Sequence, residues 1–373
     1  MNNFLYDIGT KIYFGKGQIE NLGAAVKAYG DKALLVYGGG SIKKTGIYDA
    51  AMASLKKAGV STMELAGVEP NPRVTSVREG VKLCRENGVQ VVLPIGGGSS
   101  IDCAKVIAGA VSYDGDPWDL VVGKARYQSF LPIVSVLTLA ATGSEMDAVA
   151  VISNMDTNDK LGTGHPDMRP KASILDPTYT FTVSKYQTAA GTADIMSHIM
   201  ENYFGGSEGG YLQDRMAEAL LKTCIKYGVI ALREPDNYEA RANLMWASSH
   251  AINGLISLGK EHPWSVHSME HQLSAYYDIT HGVGLAILTP AWMDAILSDE
   301  TVDKFVEFAV NVWGVAPGAD KFATAKEGIA CLRAYFKEMG IPATLPEVGI
   351  TDETHFDAMA EKAEQGGLLK AYV

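Results

Sequence analysis

The chain has little that would hold it in a membrane or cross-link it. Apolar residues make up 47% of its 373 positions, yet no uncharged apolar run approaches the roughly 18 residues a membrane span needs. The stretch from Gly282 to Met293 is interrupted by Pro290 and stopped by Asp294. The four cysteines, Cys84, Cys103, Cys224 and Cys331, include no C-x-x-C pair, so they offer neither a disulfide frame nor a thiolate metal knuckle and suit a reducing compartment. Positive charge is also scarce: 32 basic against 43 acidic side chains give a formal charge of −11, which disfavours nucleic acids and anionic membranes as partners. The opening "MNNFLYDIGTKIYFGKG" lacks a basic start followed by an apolar core, so the cytoplasm is the expected setting. These absences leave a small molecule as the expected partner.

The length favours two domains, each able to bury its own core. From Lys32 to about Asp176, short apolar runs ("ALLVY" at Ala33–Tyr37, "VQVVLPI" at Val89–Ile95, "LPIVSVL" at Leu131–Leu137) alternate with amphipathic stretches such as Tyr48–Lys57 and Val74–Glu86. This pattern predicts an α/β doubly wound, mostly parallel sheet, which binds ligands at the carboxyl ends of its strands. After "LDPTY" at Leu175–Tyr179 the pattern becomes one of long helical segments, punctuated by "GGSEGG", "EPDN" and "HPW". We therefore expect a dinucleotide-binding domain over residues 1–182 and an all-α domain over 183–373.

Three strand-to-helix turns carry phosphate-binding chemistry. In "VVLPIGGGSSIDCAK", Gly96, Gly97 and Gly98 directly follow an apolar run and precede a helix expected to begin near Ile101. Backbone N–H groups in such a turn can approach a pyrophosphate closely, although a plain βα turn capped by Ser99 or Ser100 has the same residues. A second run, "VYGGGSIKK", places Gly38, Gly39, Gly40 and Ser41 after a strand, with Lys43 and Lys44 behind them. A carboxylate at that strand end would accept the ribose hydroxyl of NAD and repel the extra phosphate of NADP. None is present there, which leans toward NADP(H) over NAD(H) unless both lysines are merely solvated. The third turn, "LTLAATGSEM", presents Thr138, Thr142 and Ser144, which can reach a cofactor or simply cap a helix.

Seven of the eight histidines lie between residues 165 and 281. "GTADIMSHIME" sets Asp194 and His198 four apart, and the same spacing recurs at His267 and His271, followed by His281. Residues i and i+4 share a helix face, so each pair can address one atom. One such pair is usually a surface feature. Two pairs and a further imidazole in the same helical half form a donor set suited to divalent Fe or Zn rather than Ca or Mg.

Taken in order, "GGGSSIDCAK", "LTLAATGSEM", "GTADIMSHIME" and the H-x-x-x-H…HG pattern resemble the iron-containing alcohol dehydrogenases over nearly the whole chain. "FGKG", "YGGGSIKKTG" and "EPNPR" look most like their butanol dehydrogenase and aldehyde reductase branch. The resemblance implies a dehydroquinate synthase-like fold, a bound divalent metal (Fe or Zn), NADP(H) or NAD(H), a short- to medium-chain alcohol or aldehyde as substrate, and a homodimer. It implies metal ligation by Asp194, His198, His267 and His281, with His271 close by as a proton relay or a structural histidine. Gly97, Gly98, Ser99 and Asp102 would hold the pyrophosphate region, Gly38 to Ser41 would face the adenosine ribose, and Asn71, Thr138 and Thr142 would line the cofactor site. His165, His250, His262 and His355 match no ligand position, and Trp264 is either a pocket wall or a core residue. Relatives commonly continue with another helix beyond "GGLLKAYV". Two rivals remain: a metal- and nucleotide-dependent lyase resembling dehydroquinate synthase, against which the scarcity of Lys and Arg around the ligands counts, and a non-catalytic NADPH-binding sensor, which should have lost part of the metal set.

Overall fold

The computed structural model describes residues 1–205, 209–261 and 263–365; His262 and the "GGLLKAYV" end lie outside the described residues. The chain forms two compact units, one spanning Asp7–Thr182 and one spanning Met1–Tyr6 together with the residues from Val183 onward. The first residues join the helical unit, where the Asn2 N–H donates to the Gly259 carbonyl at 3.0 Å.

Unit Asp7–Thr182 is built on strands β1 (Lys11–Phe14), β2 (Lys32–Val36), β3 (Ser61–Leu65), β4 (Val91–Gly96), β5 (Val134–Leu137) and β8 (Ala172–Leu175), with a separate hairpin of β6 (Val149–Asn154) and β7 (Asp159–Gly164). The six-stranded sheet has the order β1-β8-β5-β4-β2-β3 and every pairing in it is parallel. Alternation along a strand sends successive side chains to opposite faces. Accordingly Ala33 and Leu35 enter one core with Val91, Leu93 and Ile95, while Leu34 and Val36 enter the other with Val92. Burial on both faces explains why β2 and β4 are continuous apolar runs.

β1 and β3 escape that pattern because they are the sheet edges, with partly exposed sequences KIYF and STMEL. The helix after β4 runs Gly98–Ala110, starting earlier than Ile101 because Gly98 itself takes up helical pairing.

The second unit contains, among its described residues, helices and no strand. Its central helix, Lys185–Tyr203, is capped by the Ser184 hydroxyl, which accepts from the Gln187 N–H, and every residue from Thr188 to Tyr203 is buried. It packs against helices Tyr211–Arg233, Tyr238–Ile252 and His281–Ile296. No helix among the described residues is long and apolar enough to cross a membrane.

Candidate functional site

A helix buried all round cannot leave polar side chains unserved, since an unpaired buried polar group is costly. This decides how the Asp194/His198 pair is read: both are buried, at 3% and 4% exposure, and neither lies on a solvated face. His198 Nδ1 sits 3.6 Å from Asp194 Oδ1, as their shared helix face requires. Helix Ser265–Tyr277 contributes His267, whose Nε2 is 3.9 Å from the same oxygen, and helix His281–Ile296 contributes His281, whose Nε2 is 3.8 Å from it.

Close approach of the helices makes this possible. A Cβ on Gly282 would lie 2.0 Å from the Ala190 carbonyl oxygen, so only glycine lets the start of the His281 helix seat against the central one. The His198 and His267 rings stack at 4.6 Å between centroids, and Trp264 meets both edge-on, at 5.8 and 5.2 Å.

Donor atoms of Asp194, His267 and His281 lie within 4.8 Å of one another, a grouping that can hold a metal ion. His198 Nδ1 and His267 Nε2 are buried with no hydrogen-bond partner. Orphaned imidazole nitrogens turned toward a carboxylate fit a divalent ion, and three nitrogens with one oxygen fit Fe or Zn. His271 joins His281 and Glu270 in a second such grouping, its ring 5.7 Å from that of His281 and 6.3 Å from that of His267.

Two carboxylates that sequence reasoning passed over hold these imidazoles. Glu201, fully buried, accepts from the Val266 N–H at 2.6 Å and the His267 N–H at 3.1 Å, and also contacts His267 Nδ1. It thereby caps the first turn of helix Ser265–Tyr277 and turns His267 Nε2 toward Asp194. Glu270, equally buried, does the corresponding work on His281 Nδ1 and also takes the Ser274 hydroxyl. Glu201 stands three residues after His198 and Glu270 three after His267, but each serves an imidazole on another helix, so local spacing does not disclose either pairing.

Burial, reinforced by the neighbouring imidazoles, pushes His198 well below the ordinary histidine range and keeps it a neutral donor. At His267 burial also opposes the charged form, but Glu201 outweighs it and the net direction is upward.

In unit Asp7–Thr182 the glycine and hydroxyl turns follow β2, β4 and β5, which are neighbours in the sheet, so they collect at one sheet end. Gly97 and Ser99 are half-buried at the opening of the Gly98–Ala110 helix. A Cβ on Gly98 would fall 2.4 Å from Thr142 Oγ1, so that position admits only glycine while Thr142 packs there. Thr142 Oγ1 in turn accepts from the Ser144 N–H, and the Thr138 N–H donates to the Gly96 carbonyl.

Asp102, expected at the pyrophosphate region, stands in the first turns of the Gly98–Ala110 helix. It is buried, one oxygen accepting from Ser144 Oγ at 2.5 Å and the other from the Val151 N–H at 2.9 Å, so its carboxylate braces the turn. Asn71 is buried in the left-handed region at φ 51°, ahead of the Val74–Asn87 helix. Gly38, Gly39, Gly40 and Ser41 lie half-buried to exposed after β2, with Gly40 at φ 88°. Lys43 behind them is held 3.2 Å from Glu64 of β3, a partner that no sequence spacing revealed.

Among the remaining histidines, His165 stacks on Phe130, His250 bonds Asn253, and His355 packs on Tyr276; none of the three belongs to the metal-ligand grouping.

Comparison with known proteins yields two adjoining family matches: iron-containing alcohol dehydrogenase over residues 9–177, and the C-terminal model of the Fe-containing alcohol dehydrogenase family over residues 188–371. The chain is 62% identical over 371 residues to NADH-dependent butanol dehydrogenase A of Clostridium acetobutylicum, covering 99% of this chain and 95% of the relative. It is 39% identical to the NADPH-dependent aldehyde reductase YqhD of Escherichia coli, covering 99% and 95%. The crystal structure of an NADH-dependent butanol dehydrogenase A from Thermotoga maritima superposes with a TM-score of 0.94 at 40% identity, over 100% of this chain and 92% of that one.

Proposed function

From the premise that this chain belongs to the iron-containing alcohol dehydrogenase family, and is an alcohol dehydrogenase and aldehyde reductase using NAD(P)H, we propose that it works on short- to medium-chain substrates such as butanol and butanal. Its metal ligands are Asp194, His198, His267 and His281. The observation that carries this is the convergence of three imidazoles on one buried carboxylate, with two of the rings turned there by Glu201 and Glu270.

A divalent ion held there, Fe or Zn, supplies Lewis acidity toward the substrate oxygen, while the nicotinamide supplies or takes the hydride. The protein's own groups do the rest. Asp194 offsets part of the ion's charge, and the neutral His198 leaves the site net positive. Glu201 and Glu270 fix ring orientation and tautomer, so that the donor nitrogens need no reorganisation. His271, half-buried beside His281, is placed to hold or pass the proton that the product oxygen takes up. Gly97, Gly98 and Ser99 offer backbone N–H groups to the pyrophosphate, with Asp102, Thr138 and Thr142 shaping that turn.

Gly38 to Ser41 border the adenosine ribose, with Asn71 at the neighbouring loop. The sequence lean toward NADP(H) rests on a strand end without a carboxylate, with Lys43 and Lys44 behind it; the contact between Lys43 and Glu64, together with the NADH-dependence named for the 62% identical relative, supports NADH instead. A cytoplasmic setting suits the four cysteines, all free thiols. A homodimer is the family-level expectation, and exposed Phe4 and Leu5 are apolar surface that a second copy would cover.

The test pairs metal content with butanal-dependent oxidation of NADH and NADPH, in wild type and His267→Ala. We expect about one Fe or Zn per chain in the wild type. The variant should lose the metal and at least about a thousandfold in kcat. Absence of metal, or metal without aldehyde-dependent oxidation of either cofactor, would sink the assignment.

A further inference from the structure

The glycine run after β2 lacks an acidic residue, but the folded chain supplies one from the next strand. β2 and β3 pair in parallel with Leu35 opposite Glu64, which places that carboxylate beside the end of β2. Tyr37, the first residue after β2, donates its hydroxyl to Glu64 at 2.5 Å; Tyr48 donates to the other carboxylate oxygen; Lys43 Nζ sits 3.2 Å away. The ammonium lies over both rings, 5.2 Å from the centroid of Tyr37 and 4.5 Å from that of Tyr48. Two phenols and a cation thus fix Glu64 in place, and they keep it ionised. With 34% of the Glu64 side chain and 48% of Lys43 exposed, the cluster can be reached by a ligand at the glycine turn.

We infer that Glu64 sets this enzyme's choice of cofactor, favouring NADH over NADPH. The chemistry is that of a carboxylate beside an adenosine ribose: it accepts a hydrogen bond from a 2′-hydroxyl and repels a 2′-phosphate, which carries close to two negative charges. Here it comes from β3 instead of the end of β2, where Gly39 has open space around it. Glu64 also acts a second time, by occupying the cation that would otherwise attract the phosphate. The inference rests on the dehydrogenase assignment and refines its cofactor.

Equilibrium binding of NADH and of NADPH, followed by nicotinamide fluorescence, tests this in wild type, Glu64→Gln and Lys43→Met, alongside KM for each cofactor with butanal. Glutamine keeps an acceptor for the tyrosines and removes the charge. The wild type should bind NADH the more tightly. Glu64→Gln should tighten NADPH by about tenfold, the scale on which a half-exposed carboxylate opposes a dianion, with little gain for NADH. Lys43→Met, which removes only the compensating cation, should widen the discrimination against NADPH. Adding Lys43→Met to Glu64→Gln should cancel the gain. A wild type that binds NADPH at least as tightly as NADH, or an NADPH/NADH ratio unmoved in Glu64→Gln at unchanged melting temperature, overturns the inference. If Glu64→Gln does not fold, Lys43→Met alone decides: an unchanged or narrowed discrimination overturns it equally. Binding is read without turnover, so a protein that fails to oxidise either cofactor with butanal would refute the dehydrogenase assignment while leaving Glu64's effect on binding measurable.

Discussion

In the helical unit Asp194, His198, Glu201, His267 and Glu270 are all buried, whereas at the end of β2 Lys43 and Glu64 keep much of their side chains in solvent. Both places gather opposite charges around a ligand site, but the physics differs. Among the helices there is little water to screen a misplaced charge, so His267 and His281 each have a dedicated carboxylate that is itself bonded, and burial holds His198 neutral. At the glycine turn solvent softens every interaction, and three side chains share one carboxylate. A buried site of this kind tolerates no change of partner. A half-exposed one can be retuned by a single charge.

The comparison is put at risk first by Glu201→Ala. If the buried site depends on its orienting carboxylate, removing it should cost about 3–5 kcal/mol of unfolding free energy and weaken metal binding by a factor of about 10–100. Denaturant melts and metal titration measure the two, and a loss below about 1 kcal/mol would place Glu201 with the exposed pairs.

Asp102 supplies an intermediate case. Burial raises its carboxyl to about 6 despite Lys105, Ser144 and Val151, against an ordinary value near 4. Between those two values the folded state binds more protons than the unfolded state. The contribution is therefore favourable at low pH and is lost as pH rises from about 4 to about 6. Relative to Asp102→Asn, wild-type stability should fall by up to about 3 kcal/mol across that window; a flat difference would show the carboxylate to be fully compensated.

The smallest effect is expected from Arg333→Ala, which breaks an ion pair with Asp294 whose side chains are both 48% exposed. Melts should show a loss of less than about 1 kcal/mol, shrinking with salt.

What the sequence disclosed follows the same divide. The candidate donor cluster was suggested by helical spacing, which is local: Asp194 and His198, or His267 and its neighbour His271, share a face whatever surrounds them. The parallel sheet was legible from β2, β4 and β5, whose two-sided burial writes apolar runs into the chain. Edge strands β1 and β3 carry no such run, and the role of Glu64 depends on the pairing of β3 with β2, a register that sequence does not expose. Glu201 lies within the same motif as Asp194 and His198, yet its partners, the first N–H groups of a helix more than sixty residues later, exist only once the helices pack. The bonds of Asp102 to the Ser144 hydroxyl and the Val151 N–H were likewise hidden, because their donors lie more than forty residues along the chain.

Glu201 also bears on the order in which the molecule is put together. Its bonds to Val266 and His267 run to main-chain N–H groups, so they form when the helices dock and depend on no ion. The geometry that presents His267 is thus an outcome of folding, unlike that of a zinc finger, whose fold waits for its metal. An ion entering this site would meet main-chain bonds that are already made.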